Sequence, residues 1–560
     1  MNHSLKPLPF GSQFFKSVRE QNYLYVDKTQ YLIRLIKSSW TATFLSRPRR
    51  FGKSLTVSTL ESLFSGDREL FKGLAIEKHL DEEKFLPRPV ISLNMSGVYT
   101  GLKMEDFHES LREFTAKQAN KLKIKVDTRN NPSIVLEELI IESAEKSGKR
   151  VAVLIDEYDA PIIDCMDDPV NMDNFKKELR FYYRKLKILE EYISFIFITG
   201  VCKFSHVGIF SELNNVMDIS LDEEYAAICG FTEEELRYNF RDYIKETSNH
   251  FKCSEEEFLK EIKDYYNGFS FDGITHVYNP FSTLQFFTEK KFDNFWFTSG
   301  SSSHIVNYFK NNHLTVEEFR GKKISNFFAK EPGELYTTTP TGYLYQAGYL
   351  SLRLQPEQDK RLPKNFILDY SNREVHESIS RIMMNNILGG DEKLLKYGDK
   401  LKRALMNRNP EEVINVFNLV LICLPYDDIT AAREKTIDIF DMVLDFGEYF
   451  YRSSLFSFII GVGIMPQVEV HGHLGRTDMV IEYSNQTWVI EFKMSESDAK
   501  DAETLQKAYS QIQEKGYAKR YTNPVVLAVV INKKERAITA WKSNEKVKPS
   551  KEPSQGMKMS

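Results

Sequence analysis

The sequence predicts an α/β protein with a parallel, helix-flanked sheet at the N-terminal end, a helical middle region and a smaller α/β domain near the C-terminal end. Three observations predict it. Short apolar runs at Thr43–Leu45, Val151–Ile155 and Ile193–Ile198, with amphipathic stretches between them, read as buried parallel strands alternating with helices. From about Thr232 to Tyr266 charge density rises and the pattern turns helical, followed by the turn-rich Asn267–Pro280. After about Glu392 two helical segments precede strands, a helix and a further strand.

The bulk numbers fit that class and exclude others. The chain has 560 residues, enough for about three or four domains, with 42% hydrophobic and 28% charged residues, an ordinary globular balance. The formal charge of −4 gives no global basic field, so any nucleic-acid contact needs a local patch. Five scattered cysteines, with no C-x-x-C pair, argue against a zinc ribbon or disulfide framework and fit a reducing cytosol. No basic-then-apolar signal opens the chain, and no apolar run approaches the ~18 residues of a membrane helix. The expectation is a cytoplasmic protein without membrane partners.

The first strand runs into Phe44-Leu45-Ser46-Arg47-Pro48-Arg49-Arg50-Phe51-Gly52-Lys53-Ser54-Leu55. Gly52-Lys53-Ser54 matches the end of a phosphate-binding loop, in which backbone N–H groups at a helix start attract phosphate oxygens. Lys53 would reach the β- and γ-phosphates of ATP and Ser54 would ligate Mg²⁺. Arg47 stands where the full pattern has its first glycine, and read alone the segment equally suits a solvated basic turn capping a helix. Arg49 and Arg50, with Arg47, would touch phosphates or a partner, or line a solvated loop. About a hundred residues later Val151–Ile155 ends in Asp156-Glu157. There Asp156 would hold Mg²⁺ and Glu157 would activate the attacking water. Acids also mark where buried strands meet solvent, but the order strand–GKS–helix then strand–DE favours nucleotide. Thr199, ending the third strand, is a candidate γ-phosphate sensor or a plain turn; Asp159 and Lys203 are weaker candidates.

Gly475–Glu482 and Thr487–Lys493, joined at Ser484-Asn485-Gln486, read as a hairpin. Period two puts Val489, Glu491 and Lys493 on one face and Trp488, Ile490 and Phe492 on the other. Asp478 on the partner strand can sit beside Glu491 and Lys493, and two carboxylates with a lysine suit a divalent cation and an attacking water. An exposed face of ordinary surface ion pairs is the bland alternative. Before the hairpin, Glu448 shares a helical face with Arg452, Leu455 and Ile459. After it, Leu505, Ala508, Tyr509 and Ile512 form an apolar stripe bordered by Gln511. His471 and His473 fit a solvent-exposed loop better than a metal site. Lys500, Lys507, Lys515, Lys519 and Arg520 offer a basic surface, or an ordinary solvated helix face.

The N-terminal half resembles the AAA-ATPase-like family through Tyr25–Thr29 (YVDKT), Phe44–Leu55, Val153–Ala160 (VLIDEYDA), Thr199–Phe204 (TGVCKF), Leu213-Asn214-Asn215 and Val277–Pro280 (VYNP). The arginine-rich loop without the first glycine is usual among those relatives. The C-terminal part resembles their companion PD-(D/E)XK nuclease domain, with Glu448, Asp478, Glu491, Lys493 and Gln511 on its motif positions. The resemblance implies a P-loop NTPase core at 1–220, a helical lid at 221–300, a connecting region at 301–394, a restriction-endonuclease-like domain at 395–545 and a tail at 546–560. It implies ATP and Mg²⁺ as cofactors, with Mn²⁺ as an option at the nuclease site, and DNA as partner. Cofactor-binding residues would be Gly52, Lys53, Ser54, Asp156 and Thr199, and metal ligands Ser54, Asp156, Asp478 and Glu491. The catalytic set would be Asp478, Glu491, Lys493, Glu448, Gln511 and Glu157. ATPases of this broad class often assemble, so a homo-oligomer is a further expectation. The expected function is an ATP-binding and ATP-hydrolysing protein whose nucleotide state gates a metal-dependent DNA nuclease domain; a nucleotide-dependent switch that binds nucleic acid without cutting, or a scaffold with both sites decayed, are the alternatives.

Overall fold

The structure, a computed structural model, describes residues 5–99, 103–165, 168–203, 216–298, 320–325, 340–355, 364–424, 436–439, 442–472 and 475–545. Expectations placed on Phe204, Leu213-Asn214-Asn215, His473 and the tail from Lys546 lie outside these residues. The chain divides into two compact units: residues 1–300 with 322–375, and residues 301–321 with 376–560.

The first unit is built on β1 (Ala42–Ser46), β2 (Val90–Asn94), β3 (Val151–Asp156), β4 (Ile193–Gly200) and β5 (Val216–Asp218). They form one parallel sheet in the order β2-β3-β4-β1-β5. The apolar runs are nearly continuous because both faces of the sheet are covered. Helices Met104–Lys121, Pro132–Ser147 and Pro169–Ile188 close a core around Phe44, Ile91, Val153 and Ile198, and helix Lys53–Ser65 packs against β2, β3 and β4. Because β4 lies between β1 and β3, the loop after β1 and the acids after β3 flank Thr199-Gly200.

The helical expectation for 232–266 becomes three helices, Glu233–Asn239, Arg241–Phe251 and Glu255–Tyr266. Capping boxes at Thr232/Glu235 and Ser254/Glu257 start the first and third. Phe240, Phe258, Tyr266, Phe286 and Phe287 fill their core together with Leu24 and Val26 from the N-terminal segment. The VYNP motif is a helix start: the Asn279 side chain accepts the Ser282 N–H at 3.0 Å and Pro280 opens helix Pro280–Glu289.

β6 (Lys322–Ser325), β7 (Leu350–Leu354) and β8 (Asn365–Tyr370) pair antiparallel in the order β6-β8-β7.

The second unit holds helices Asp391–Met406, Pro410–Leu421 and Phe446–Gly461 and a short hairpin, β9 (Thr436–Ile439) with β10 (Met442–Asp445). Its sheet runs β11 (Gln467–Gly472), β12 (Gly475–Tyr483), β13 (Gln486–Ser495), β14 (Val525–Asn532) and β15 (Ala537–Ser543) in sequence order. All neighbours are antiparallel except β13 and β14, which run parallel through the crossover helix Asp498–Glu514. The predicted alternation holds: Trp488, Ile490 and Phe492 join the larger core, while Val480 and Val489 pack with Ala508 and Ile512. Ser484 (φ 48°) and Asn485 (φ 61°) supply the two left-handed residues of a tight hairpin turn, and Gln486 already belongs to β13. His471 lies within β11, not in a loop, because residues 467–472 add a further strand to β12.

None of the five cysteines is in a disulfide. No helix among the described residues is long and apolar enough to cross a membrane.

Candidate functional site

In the first unit a cavity of about 690 Å³ opens where the loop after β1 meets the start of helix Lys53–Ser65. Arg49 to Thr56 line one side, with Glu157 and Asp159 beside them. Leu24, Val26, Ile228, Phe281 and Leu284 form an apolar wall. Gly52, at φ 99°, takes a left-handed conformation at the helix start that a side chain would strain. Lys53 Nζ donates to the carbonyls of Arg47 (2.9 Å) and Pro48 (3.0 Å). Burial pushes its ammonium below the ordinary value, opposed by Asp156, Asp159 and Glu157.

Asp156 is buried, and its Oδ1 accepts the Thr199 hydroxyl at 2.6 Å and the Glu157 N–H at 3.1 Å. Thr199 therefore holds Asp156 and does not line the cavity. Glu157 reaches the cavity through a left-handed backbone (φ 49°). Asp159 is more central than the sequence suggested: its Oδ2 accepts the N–H groups of Val201 (2.9 Å) and Cys202 (2.6 Å), and burial lifts its carboxyl to about 6. Arg47 does not line this cavity and is not a solvated loop residue. Its side chain is fully buried, donates to the carbonyls of Ser46, Ser220 and Tyr225, and lies 4.0 Å from the Phe271 ring centroid. It staples the loop from within, while Arg50 lies over the Phe281 ring. Lys203 pairs with Asp218 at 3.0 Å. The YVDKT motif is scaffolding for the same wall: Asp27 accepts the Thr29 and Ala75 N–H groups, and Lys28 pairs with Glu235 at 2.5 Å.

In the second unit Asp478, Glu491, Lys493, Glu448 and Gln511 converge at one end of the β12–β13 hairpin. Glu491 is 1% exposed; it accepts from the Gln511 amide and from the Asp478 N–H at 3.4 Å, and lies 3.6 Å from Lys493 Nζ. Asp478 Oδ2 accepts the Phe492 N–H at 2.9 Å, and its Oδ1 pairs with Arg452 at 2.7 Å. Burial, then the nearby Asp478 charge, pushes the Glu491 carboxyl up to about 8. Burial also raises Glu448, against the pull of Lys493. Burial works against the Lys493 ammonium, but Asp478, Glu448 and Glu491 outweigh it and hold its pKa above the ordinary value. Arg452 is the residue sequence reasoning left unassigned, although its place one turn after Glu448 was the available signal.

Three carboxylates thus face two cations. Among the described residues no three His, Cys, Asp or Glu side chains are arranged to hold an ion. The donor set that fits a divalent cation is the pair Asp478 and Glu491, with oxygen ligands of the kind Mg²⁺ and Mn²⁺ prefer. A bound cation would favour the ionised Glu491 carboxylate, which burial and the Asp478 charge oppose. Lys500, Lys507, Lys515, Lys519 and Arg520 are exposed, but Lys507 pairs with Glu503 at 2.6 Å. The side chain of His471 and all of His473 lie outside the described residues.

Parts of both units are similar to known families. Residues 9–210 match a family model described as a predicted AAA-ATPase, and residues 446–541 match that of the PD-(D/E)XK nuclease superfamily. A curated relative, an uncharacterized protein in the vnfD 5′ region of Azotobacter chroococcum mcd 1, is 29% identical over 545 residues, 96% of this chain and 99% of that one. A solved structure of the Aeropyrum pernix ORC1 protein in complex with DNA is similar at 14% identity and a TM-score of 0.24, over 63% of this chain and 91% of that one. The chain therefore joins a predicted AAA-ATPase-like domain at residues 9–210 to a PD-(D/E)XK nuclease superfamily domain at residues 446–541.

Proposed function

We propose that the protein binds and hydrolyses ATP in the first unit and that its nucleotide state gates metal-dependent cleavage of DNA by the second. The observation that carries the cleavage half is the buried Glu491 fixed by Gln511 and facing Asp478 and Lys493. In this reading Lys53 exchanges the Arg47 and Pro48 carbonyls for phosphate oxygens. The N–H groups at the start of its helix take the remaining charge. Asp156, held by Thr199, and Ser54 would hold Mg²⁺, and Glu157 orients the attacking water. The apolar wall of Leu24, Val26 and Leu284 suits a nucleotide base.

At the second site Asp478 and Glu491 would hold the ion, which when bound lowers the pKa of a water and neutralises a scissile phosphodiester. Lys493 supplies a fixed positive charge beside the phosphate. Gln511 and Arg452 keep the two carboxylates oriented. The test is incubation of the full chain with linear, circular and single-stranded DNA, with and without ATP and Mg²⁺. Cleavage that needs Mg²⁺, responds to ATP and disappears in Asp478→Ala is expected. Unchanged cleavage by purified Asp478→Ala ends the nuclease assignment.

One observation favours a second reading, a nucleotide-dependent switch that holds DNA without cutting it: Arg452 occupies Asp478 Oδ1 at 2.7 Å, where an ion would bind. A Mn²⁺ titration separates the two, since the switch predicts no binding that depends on Asp478.

A further inference from the structure

We propose that Arg49 is a catalytic residue of the nucleotide site: its guanidinium holds the γ-phosphate of ATP and offsets the charge that builds during hydrolysis, from within the phosphate loop and without an arginine from a second chain. This rests on the ATP-hydrolysis reading above and adds to it the group that distinguishes ATP from ADP. The three arginines of the loop have different fates. Arg47 is buried among the carbonyls of Ser46, Ser220 and Tyr225. Arg50, left-handed at φ 64°, lies 4.1 Å from the Phe281 ring centroid. Arg49 is exposed and lines the cavity, and its side chain makes no hydrogen bond or ion pair among the described residues.

The backbone beneath Arg49 is fixed. The Arg47 N–H donates to the Gly200 carbonyl at 3.1 Å. Pro48 packs on Gly348, where a Cβ would meet its ring at 2.6 Å. Trp296 Nε1 donates to the Arg49 carbonyl at 3.1 Å. Lys53 Nζ lies 3.0 Å from the Pro48 carbonyl oxygen, and that carbonyl is bonded to the Arg49 nitrogen. The Arg49 Cα is therefore within about 6 Å of the Lys53 ammonium, so its side chain can reach a phosphate held there. The electrostatics place the two cations together. Burial raises the Asp164 carboxyl, and Arg49 is the charge that opposes it. Burial and then Asp159 raise the Cys202 thiol, and Arg49 and Lys53 both oppose them. Glu157, Asp159 and Asp164 line the cavity with Arg49.

In hydrolysis a water oxygen bonds to the γ-phosphorus, the bond from that phosphorus to the β–γ bridging oxygen breaks, and its electron pair leaves with ADP. One proton of the water stays on the phosphate formed, and the other passes to solvent by way of Glu157. Charge on the bridging oxygen grows as the bond breaks, so a cation beside it lowers the barrier. A guanidinium presents a planar fork that matches two phosphate oxygens, where an ammonium is a point charge. The contact exists with ATP, strengthens in the transition state and is absent with ADP.

The test follows the full-length wild type, Arg49→Ala, Arg49→Lys and Lys53→Ala by steady-state ATP hydrolysis and by titration with ATPγS and ADP. Arg49→Ala is expected to lose about hundredfold or more in kcat. It should also lose about tenfold in ATPγS affinity while its ADP affinity stays within about twofold of the wild type. Arg49→Lys, with the charge but not the fork, should recover part of the ATPγS affinity and little of kcat. Both Arg49 variants should keep the wild-type melting temperature, because Trp296 bonds the backbone at this position and not the side chain. Mixing Arg49→Ala with Lys53→Ala separates supply within one chain from supply by a partner. Hydrolysis should stay at the level of the variants, since no molecule in the mixture carries both groups. Recovery on mixing overturns the proposal. So does a wild-type kcat in Arg49→Ala, or an equal loss of ATPγS and ADP affinity, which would mark a merely structural residue. A wild type that does not hydrolyse ATP, or Lys53→Ala hydrolysing it as well as the wild type, defeats the ATPase reading first and is told apart by those two controls.

Discussion

Gly200 and Asp159 show how closely the first unit is packed beside its cavity at the scale of single atoms. A Cβ at Gly200 would meet the Tyr158 ring at 2.5 Å and Asp159 Oδ1 at 2.6 Å. Tyr158 is anchored by its hydroxyl on the Cys202 carbonyl at 2.7 Å, and Asp159 by two amides, so neither can retreat. Gly200→Ala is therefore expected to destabilise the first unit by about 1–3 kcal/mol and to weaken ATP-analogue binding, read by thermal melting and titration. Asp159 carries a pH signature. Its folded pKa, about 6, lies above the unfolded value, so the stabilisation belongs to the protonated form. It is fully present below about pH 4 and is lost as pH rises through about 6. Asp159→Asn, which keeps an acceptor for both amides, should abolish this component. The melting-temperature difference between wild type and variant should change across pH 4–6 and level off above about 7. A difference that stays flat across that window would show that Asp159 is ionised throughout.

At the scale of elements, helix Asp498–Glu514 decides whether Gln511 reaches Glu491. Ser497 gives it no side-chain cap; its start is held by the buried Asp501, which accepts from Ser495, from Thr539 at 2.6 Å and from Asn532 at 3.2 Å. One carboxylate thus ties the ends of β13 and β14 and the start of β15 to the helix that crosses over them. Asp501→Ala leaves Asn532 without this acceptor and should cost about 1–3 kcal/mol. It should also lower DNA cleavage more than Mn²⁺ binding, because Asp478 and Glu491 stay on the sheet while Gln511 shifts. These dependencies mark where sequence reading stops. β1, β3, β4 and the β12–β13 hairpin are legible because burial on one or both faces writes itself into local apolar patterns, and period two alone put Glu491 and Lys493 together. β5, three residues long, leaves no such pattern. The fates of Arg47, Arg452 and Asp501 depend on partners distant in the chain: 26 residues away for Arg452 with Asp478, 31 and 38 for Asp501 with Asn532 and Thr539, and 173 and 178 for Arg47 with Ser220 and Tyr225. No local spacing encodes those pairings.

At the scale of the whole molecule, each unit closes its own cores, around Phe44 and Phe286 in the first and around Ile490 and Val489 in the second. Units with separate cores need not melt together, so two calorimetric transitions are expected rather than one. This makes gating measurable without a DNA substrate. A ligand stabilises what it binds by RT ln(1 + [L]/Kd), about 2.7 kcal/mol at a hundredfold excess over Kd. ATP should raise the transition of the first unit, and Lys53→Ala, which removes the phosphate-facing ammonium, should erase that shift. Mn²⁺ should raise the transition of the second unit, and Asp478→Ala should erase that one. If nucleotide state gates the second unit, the two shifts cannot be independent, because linkage requires ATP and Mn²⁺ to alter each other's apparent affinity by the same factor. ATP should then change the Mn²⁺-dependent transition in the wild type and leave it untouched in Lys53→Ala. Two transitions that each answer only to their own ligand would leave an ATPase and a nuclease sharing a chain without thermodynamic coupling.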